Sequence, residues 1–126
     1  MKKIFAIKKN VIKMIMESAR DTYPKEFACL LRHKEGVIEE VILLPGTIGG
    51  NSSALVYLHM MPVDFSLVGT AHSHPSGNTH PSETDLNFFR RFGSIHIIVG
   101  YPYTDDCFSV YNFNGEPIKI DILDDE

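Results

Sequence analysis

The chain has 126 residues, 44% hydrophobic and 22% charged, with 12 Lys plus Arg against 16 Asp plus Glu for a formal charge of −4. This length suits one domain, residues 1–126, and the composition is that of an ordinary soluble globular protein rather than a disordered, collagenous or coiled-coil chain. An acidic balance is the wrong sign for neutralising phosphates, so nucleic acid is not expected as a partner.

No membrane partner is expected either. The first residues carry Lys2, Lys3, Lys8 and Lys9, too many charges for a signal-peptide core, and no apolar run reaches the ~18 residues that a span needs. A cytoplasmic location is the simplest expectation. Cys29 and Cys107 form no CxxC, which excludes a zinc knuckle and a thioredoxin-type site. Reduced thiols are the default expectation, with pairing left open.

In chain order, Phe5 to Ile7 reads as a short strand or a lead-in. Val11, Ile12, Ile15, Met16 and Ala19 recur at helical spacing, so an amphipathic helix is expected from Lys9 to Tyr23, stopped by Pro24. Met14 and Met16 are expected at the core or its edge. Glu26 to Arg32 and Val37 to Leu44 read as a hairpin turning at Gly36. Pro45 to Ser53 is loop, Ala54 to Leu58 a third strand and Phe65 to His72 a fourth, buried one. Ser73 to Pro81 is loop. A second helix is expected over Ser82 to Phe92, with Ser82 as N-cap, acids in its first turn and Gly93 closing it. Its Phe88, Phe89 and Phe92 read as core. Ile95 to Val99, Asp106 to Phe113 and Pro117 to Ile122 are three further strands, with Asn114-Gly115 as a hairpin turn. Asp121, Asp124, Asp125 and Glu126 read as a solvated tail. The expected class is α/β (α+β), a mixed, mostly antiparallel sheet packed between two helices.

The chemistry concentrates between His72 and Asp85. His72 and His74 stand two apart at a strand end, where period-2 geometry puts both imidazoles on one face. Asp85 follows on the first turn of a new helix. Two imidazole nitrogens and one carboxylate oxygen are the three protein ligands of an open catalytic zinc site. HxH alone is a weak signal, and Ser82-x-x-Asp85 alone is a helix N-terminus; the conjunction carries the expectation. A hydrolase of this kind also needs a carboxylate to take and return a proton. Glu26, heading the apolar stretch Phe27-Ala28-Cys29-Leu30-Leu31, is the candidate. His33, His59, His80 and His96 are not expected as ligands.

His72-Ser73-His74-Pro75, six residues, Ser82, two residues and Asp85, with Pro24-x-Glu26 upstream, resembles the JAMM (MPN+, or JAB) metalloprotease family in a minimal prokaryotic form. The resemblance covers the motif positions and, by element order, nearly the whole chain. It implies an MPN/JAB1-like fold with cytidine-deaminase-like layering. It also implies one Zn²⁺ per chain on His72, His74 and Asp85, with Glu26 as general acid/base on the activated water and Ser82 as oxyanion donor. Two departures stand out. Many relatives carry Cys-Gly after the glutamate where this chain has Ala28-Cys29, and insertions that hold ubiquitin in some relatives are short or absent.

The substrate class implied is the bond after the Gly-Gly tail of a ubiquitin-like protein or its conjugates. Val56 and Leu58, on the expected strand Ala54 to Leu58, are candidates to pair with that tail. Processing of a ubiquitin-like sulfur carrier, or a non-catalytic MPN scaffold that binds partner proteins, are the alternatives. A barrel-type amidohydrolase fails on length, and a nucleobase deaminase on its missing CxxC. An oligomer is possible but not indicated.

Overall fold

The computed structural model describes residues 3–43 and 67–124. The expected strand Ala54 to Leu58, which includes Val56 and Leu58, and the following His59 lie outside the described residues. The elements are β1 (Ala6–Lys8), α1 (Lys9–Thr22), β2 (Ala28–Lys34), β3 (Val37–Leu43), β4 (Leu67–His74), α2 (Glu83–Arg91), β5 (Ile95–Gly100), β6 (Phe108–Tyr111) and β7 (Asp121–Leu123). The seven strands of the described residues join one sheet in the order β6-β5-β4-β2-β3-β1-β7. Its middle is antiparallel, with β2 between β3 and β4, and β5 pairs antiparallel with β6. The β4–β5, β1–β3 and β1–β7 pairings are parallel. A parallel pair needs a crossover, and α2 supplies it between β4 and β5.

Helix α1 forms where the apolar period predicts, burying Val11, Ile12, Ile15, Met16 and Ala19. Met14 is a correction, since it points to solvent at 52% exposure: it lies off the stripe set by its neighbours. The β2–β3 hairpin turns on Glu35 and Gly36, both at positive φ (55° and 84°), the pattern of a two-residue hairpin matched to strand twist. A Cβ at Gly36 would also lie 2.7 Å from the Lys3 carbonyl oxygen, so the position suits glycine twice over.

Strand alternation divides the core. One row runs Cys29, Ala71, Ile97, Val110 across β2, β4, β5 and β6 and packs with α1. The next runs Ala28, His72, Ile98, Ser109 and faces the other way. There Phe88 and Phe89 of α2 pack with Ile98 and Tyr111. The two helices among the described residues therefore cover opposite faces, as the sequence predicts.

The C-terminal strand corrects that reading. Pro117 to Ile122 is expected as one strand paired with its predecessor, and the turn with Gly115 at positive φ is indeed formed. Pairing with β6 is limited to the Tyr111–Pro117 bridge and the Ile118 N–H to Val110 carbonyl bond. The chain then leaves, and Asp121–Leu123 pairs with β1 at the far end of the strand order. Four residues span at most about 14 Å, whereas six strand spacings laid flat would separate the edges by about 29 Å. The sheet must therefore curl until its edges approach. Val110 of β6 and Ile7 of β1, near opposite ends of the strand order, share one core with α1, so the sheet curls toward that helix and its face there is the concave one.

Candidate metal centre

Strand β4 extends to His74, two residues beyond its expected end, because its last residue still pairs with Gly100 of β5. His72 and His74 thus lie on one face, the α2 side, and α2 starts directly across from them. Ser82 caps that helix. Its Oγ accepts from Asp85 N–H at 3.1 Å while Asp85 Oδ2 accepts from Ser82 N–H at 2.9 Å, a reciprocal capping box. This box aims the Asp85 carboxylate at the strand end. Asp85 Oδ1 lies 3.1 Å from His72 Nε2, Oδ2 lies 3.1 Å from His74 Nε2, and the two Nε2 atoms are 3.1 Å apart. His72 and Asp85 are buried, and His74 is partly open to solvent.

The tautomer of His74 follows from its other nitrogen. Nδ1 lies 2.7 Å from the Asn78 carbonyl oxygen, which can only accept, so Nδ1 carries the hydrogen and donates it. The neutral ring then presents a lone pair from Nε2 toward His72 and Asp85. Gly100 makes this possible: a Cβ there would stand 2.7 Å from the Gly77 carbonyl, pushing away the loop that carries Asn78.

Burial works to raise the pKa of Asp85, but its hydrogen bonds with His72 and His74 outweigh burial and hold the carboxyl well below the usual carboxylate range. The pKa of His74 is raised, first by its hydrogen bond to Asp85. Burial opposes the rise, while the Asn78 carbonyl and the charges of Asp85 and Glu26 add to it. Lone-pair donors from the three residues gather within 4.8 Å. Such a cluster needs a proton or a cation at its centre, and two imidazoles with one carboxylate are the donor set of an open zinc site. His72, His74 and Asp85 therefore fit a metal ion.

Glu26 comes next to this cluster by a different route. It immediately precedes Phe27, whose N–H donates to Ser73 Oγ at 2.8 Å and whose carbonyl accepts from Ser73 N–H at 2.9 Å. Continued by two residues, the Ala28–His72 register sets Glu26 across from His74. Glu26 is half-buried, and its charge acts on His74. Ser82 is exposed at the rim, and its hydroxyl hydrogen is free to point outward because Oγ already accepts from the helix. Of the small pair after Glu26, only Ala28 stands beside His72. Cys29 faces the α1 core, where burial pushes its thiol up to about 12. Both cysteines are free.

A model of the prokaryotic homologues of the JAB domain matches residues 8–111, the span that holds Glu26, both histidines, Ser82 and Asp85. The chain belongs to the prokaryotic JAB family. A Haloferax volcanii family relative described as a probable metalloprotease is 34% identical over 133 residues, covering 98% of this chain and 82% of its own. A JAB1/MPN domain protein from Archaeoglobus fulgidus superposes with a TM-score of 0.77 at 36% identity, over 98% of this chain and 99% of that one. A structure described as JAMM, a metalloprotease-like zinc site in the proteasome and signalosome, gives 0.74 at 35% identity, over 96% and 99%. The MPN/JAB1-like fold expected from the motif is thus the fold found.

Sequence reasoning missed three contributors to this JAB-family site. Asn78 acts through its backbone carbonyl, which any residue supplies, so no side-chain pattern announces it. Ser73 faces away from the histidines by strand alternation, and its grip on Phe27 depends on pairing across 46 positions. His96 is a buried partner beneath the site. Its Nε2 lies 3.2 Å and 3.1 Å from the Phe89 and Gly93 carbonyls, so that nitrogen carries the hydrogen and Nδ1 accepts from the Thr70 hydroxyl at 2.7 Å.

Proposed function

We propose that this JAB-family protein is a zinc peptidase, with one Zn²⁺ per chain, that hydrolyses the peptide or isopeptide bond after the Gly-Gly tail of a ubiquitin-like protein in the cytoplasm. The convergence of His72 Nε2, His74 Nε2 and the Asp85 carboxylate, with Glu26 set across from His74, carries this reading. Zinc held by those three residues would supply Lewis-acid polarisation of the scissile carbonyl and a more acidic water. Glu26 takes a proton from the attacking water and passes it to the leaving amine. The Ser82 hydroxyl, with its acceptor side occupied by Asp85 N–H, donates to the oxyanion that forms on the substrate. Asn78 holds the His74 ring in its ligating tautomer through the carbonyl contact.

A Gly-Gly tail suits a site recessed between a strand end and a helix start, since it brings no side chain. Val56 and Leu58, outside the described residues, are proposed to pair with that tail. The deciding experiment measures zinc per chain and cleavage of a Gly-Gly-tailed ubiquitin-like fusion for wild type and Glu26→Gln. One zinc in both proteins, with chelator-sensitive cleavage in the wild type alone, is the expected result. Zinc binding without cleavage of any ubiquitin-like fusion or sulfur carrier would remove the substrate assignment. A chain that takes up no zinc would overturn the enzyme reading and leave a scaffold.

A further inference from the structure

From the β2–β4 seam we infer that Ser73 is a positioning residue for Glu26: its hydroxyl ties the segment bearing the proton carrier to the strand bearing both histidines. This rests on the reading of Glu26 given above. In a regular antiparallel ladder, a hydrogen-bonded pair exchanges two backbone bonds. Phe27 and Ser73 exchange only one of that kind, Ser73 N–H to the Phe27 carbonyl at 2.9 Å. The Phe27 N–H goes instead to Ser73 Oγ at 2.8 Å, a buried contact.

A side-chain oxygen reaches further than the backbone carbonyl it replaces. The seam can therefore open at the point where Glu26 and His74 stand across from each other, without leaving Phe27 N–H unpaired. Phe27 is buried in the α1 core, so it is held by its ring on one face and by Ser73 at both backbone groups. The residue before it, Glu26, inherits that fixed direction. Ser73 itself lies between the two histidines yet faces away from them, so it can set the Glu26 position without touching the metal cluster.

Ser73→Ala and Ser73→Thr separate this role from packing. In Ser73→Ala, the native-state exchange of the Phe27 amide is expected to quicken at least about tenfold beyond any change in the other β2 and β4 amides. Zinc content should stay at one per chain, and kcat on the Gly-Gly fusion should fall on the order of tenfold with KM little changed. Ser73→Thr keeps the oxygen and should restore both Phe27 protection and kcat. Uniform loosening of all core amides, loss of zinc in step with kcat, or failure of threonine to restore what alanine removes while remaining folded would each overturn the inference. If the wild type cleaves no fusion, the peptidase reading fails separately; the amide exchange of the two variants then decides whether Ser73 holds the Glu26 segment.

Discussion

At the residue scale, Ser82 combines two roles that substitution can separate. As N-cap it accepts from Asp85 N–H, and as a hydroxyl it retains a hydrogen to donate. Ser82→Ala loses both, and is expected to cost about 1 kcal/mol of stability and about 10²-fold in kcat. Ser82→Asp keeps an acceptor for the cap but has no hydrogen to give. Thermal unfolding should then stay close to wild type while kcat falls as in the alanine variant. Equal activity in Ser82→Asp and wild type would strip Ser82 of its donor role. Glu26→Gln keeps the size and removes the basicity, so kcat should fall by about 10²- to 10⁴-fold with zinc retained. The thiols are a further check: Cys29 is buried with its pKa pushed up to about 12, so a thiol reagent should modify only Cys107 in the native protein.

At the element scale, the β4–α2–β5 unit rests on a buried polar pair. His96 is fully buried, and burial lowers its pKa to about 4 despite the Gly93 and Phe89 carbonyls that favour its protonation; the charge of His72 adds to the lowering. The unfolded chain binds a proton near pH 6.5 and the folded one only near 4, so this residue's stability is complete above 6.5 and is lost as pH falls toward 4. The expected loss between pH 7 and pH 5 is about 2 kcal/mol, read from urea unfolding at each pH. The double variant Thr70→Val/His96→Phe removes the titrating ring and its hydroxyl donor together, and its stability should lack this part of the slope. An unchanged slope would assign the acid sensitivity elsewhere.

At the scale of the whole molecule, the His72–His74–Asp85 cluster joins two consecutive elements. His72 and His74 end β4 and Asp85 begins α2, so a bound ion ties the sheet to the helix on its convex face. Zinc that binds only the folded chain stabilises it by about 4 kcal/mol at a thousand times its Kd. The melting temperature should rise on the order of 10 °C on zinc addition and fall back with a chelator. Asp85→Ala should abolish the zinc-dependent shift; a full shift in that variant would remove Asp85 from the ligand set. The C-terminal strand supplies a long-range tie. Asp121–Leu123 pairs with β1, so deleting residues 121–126 should expose that edge and lower the unfolding midpoint.

Much of the site is legible in the sequence because its logic is local. The HxH spacing follows from strand period, the Ser82-x-x-Asp85 spacing from the first turn of a helix, and the break between them from a Gly/Pro-rich loop. Each can be read from neighbouring side chains, as can α1, a hairpin turn at Gly36 and the division of apolar residues between two faces. The family resemblance drew on these same positions. Tertiary structure alone decided that Asp121–Leu123 joins β1 rather than β6, that β4 continues to His74, that the Asn78 carbonyl sets the tautomer of His74, and that Ser73 holds Phe27. These depend on pairings between backbone groups far apart in the chain. Backbone donors and acceptors are chemically alike at nearly every residue, so side-chain identity specifies which faces must be buried but not which distant carbonyl or edge a given N–H will meet.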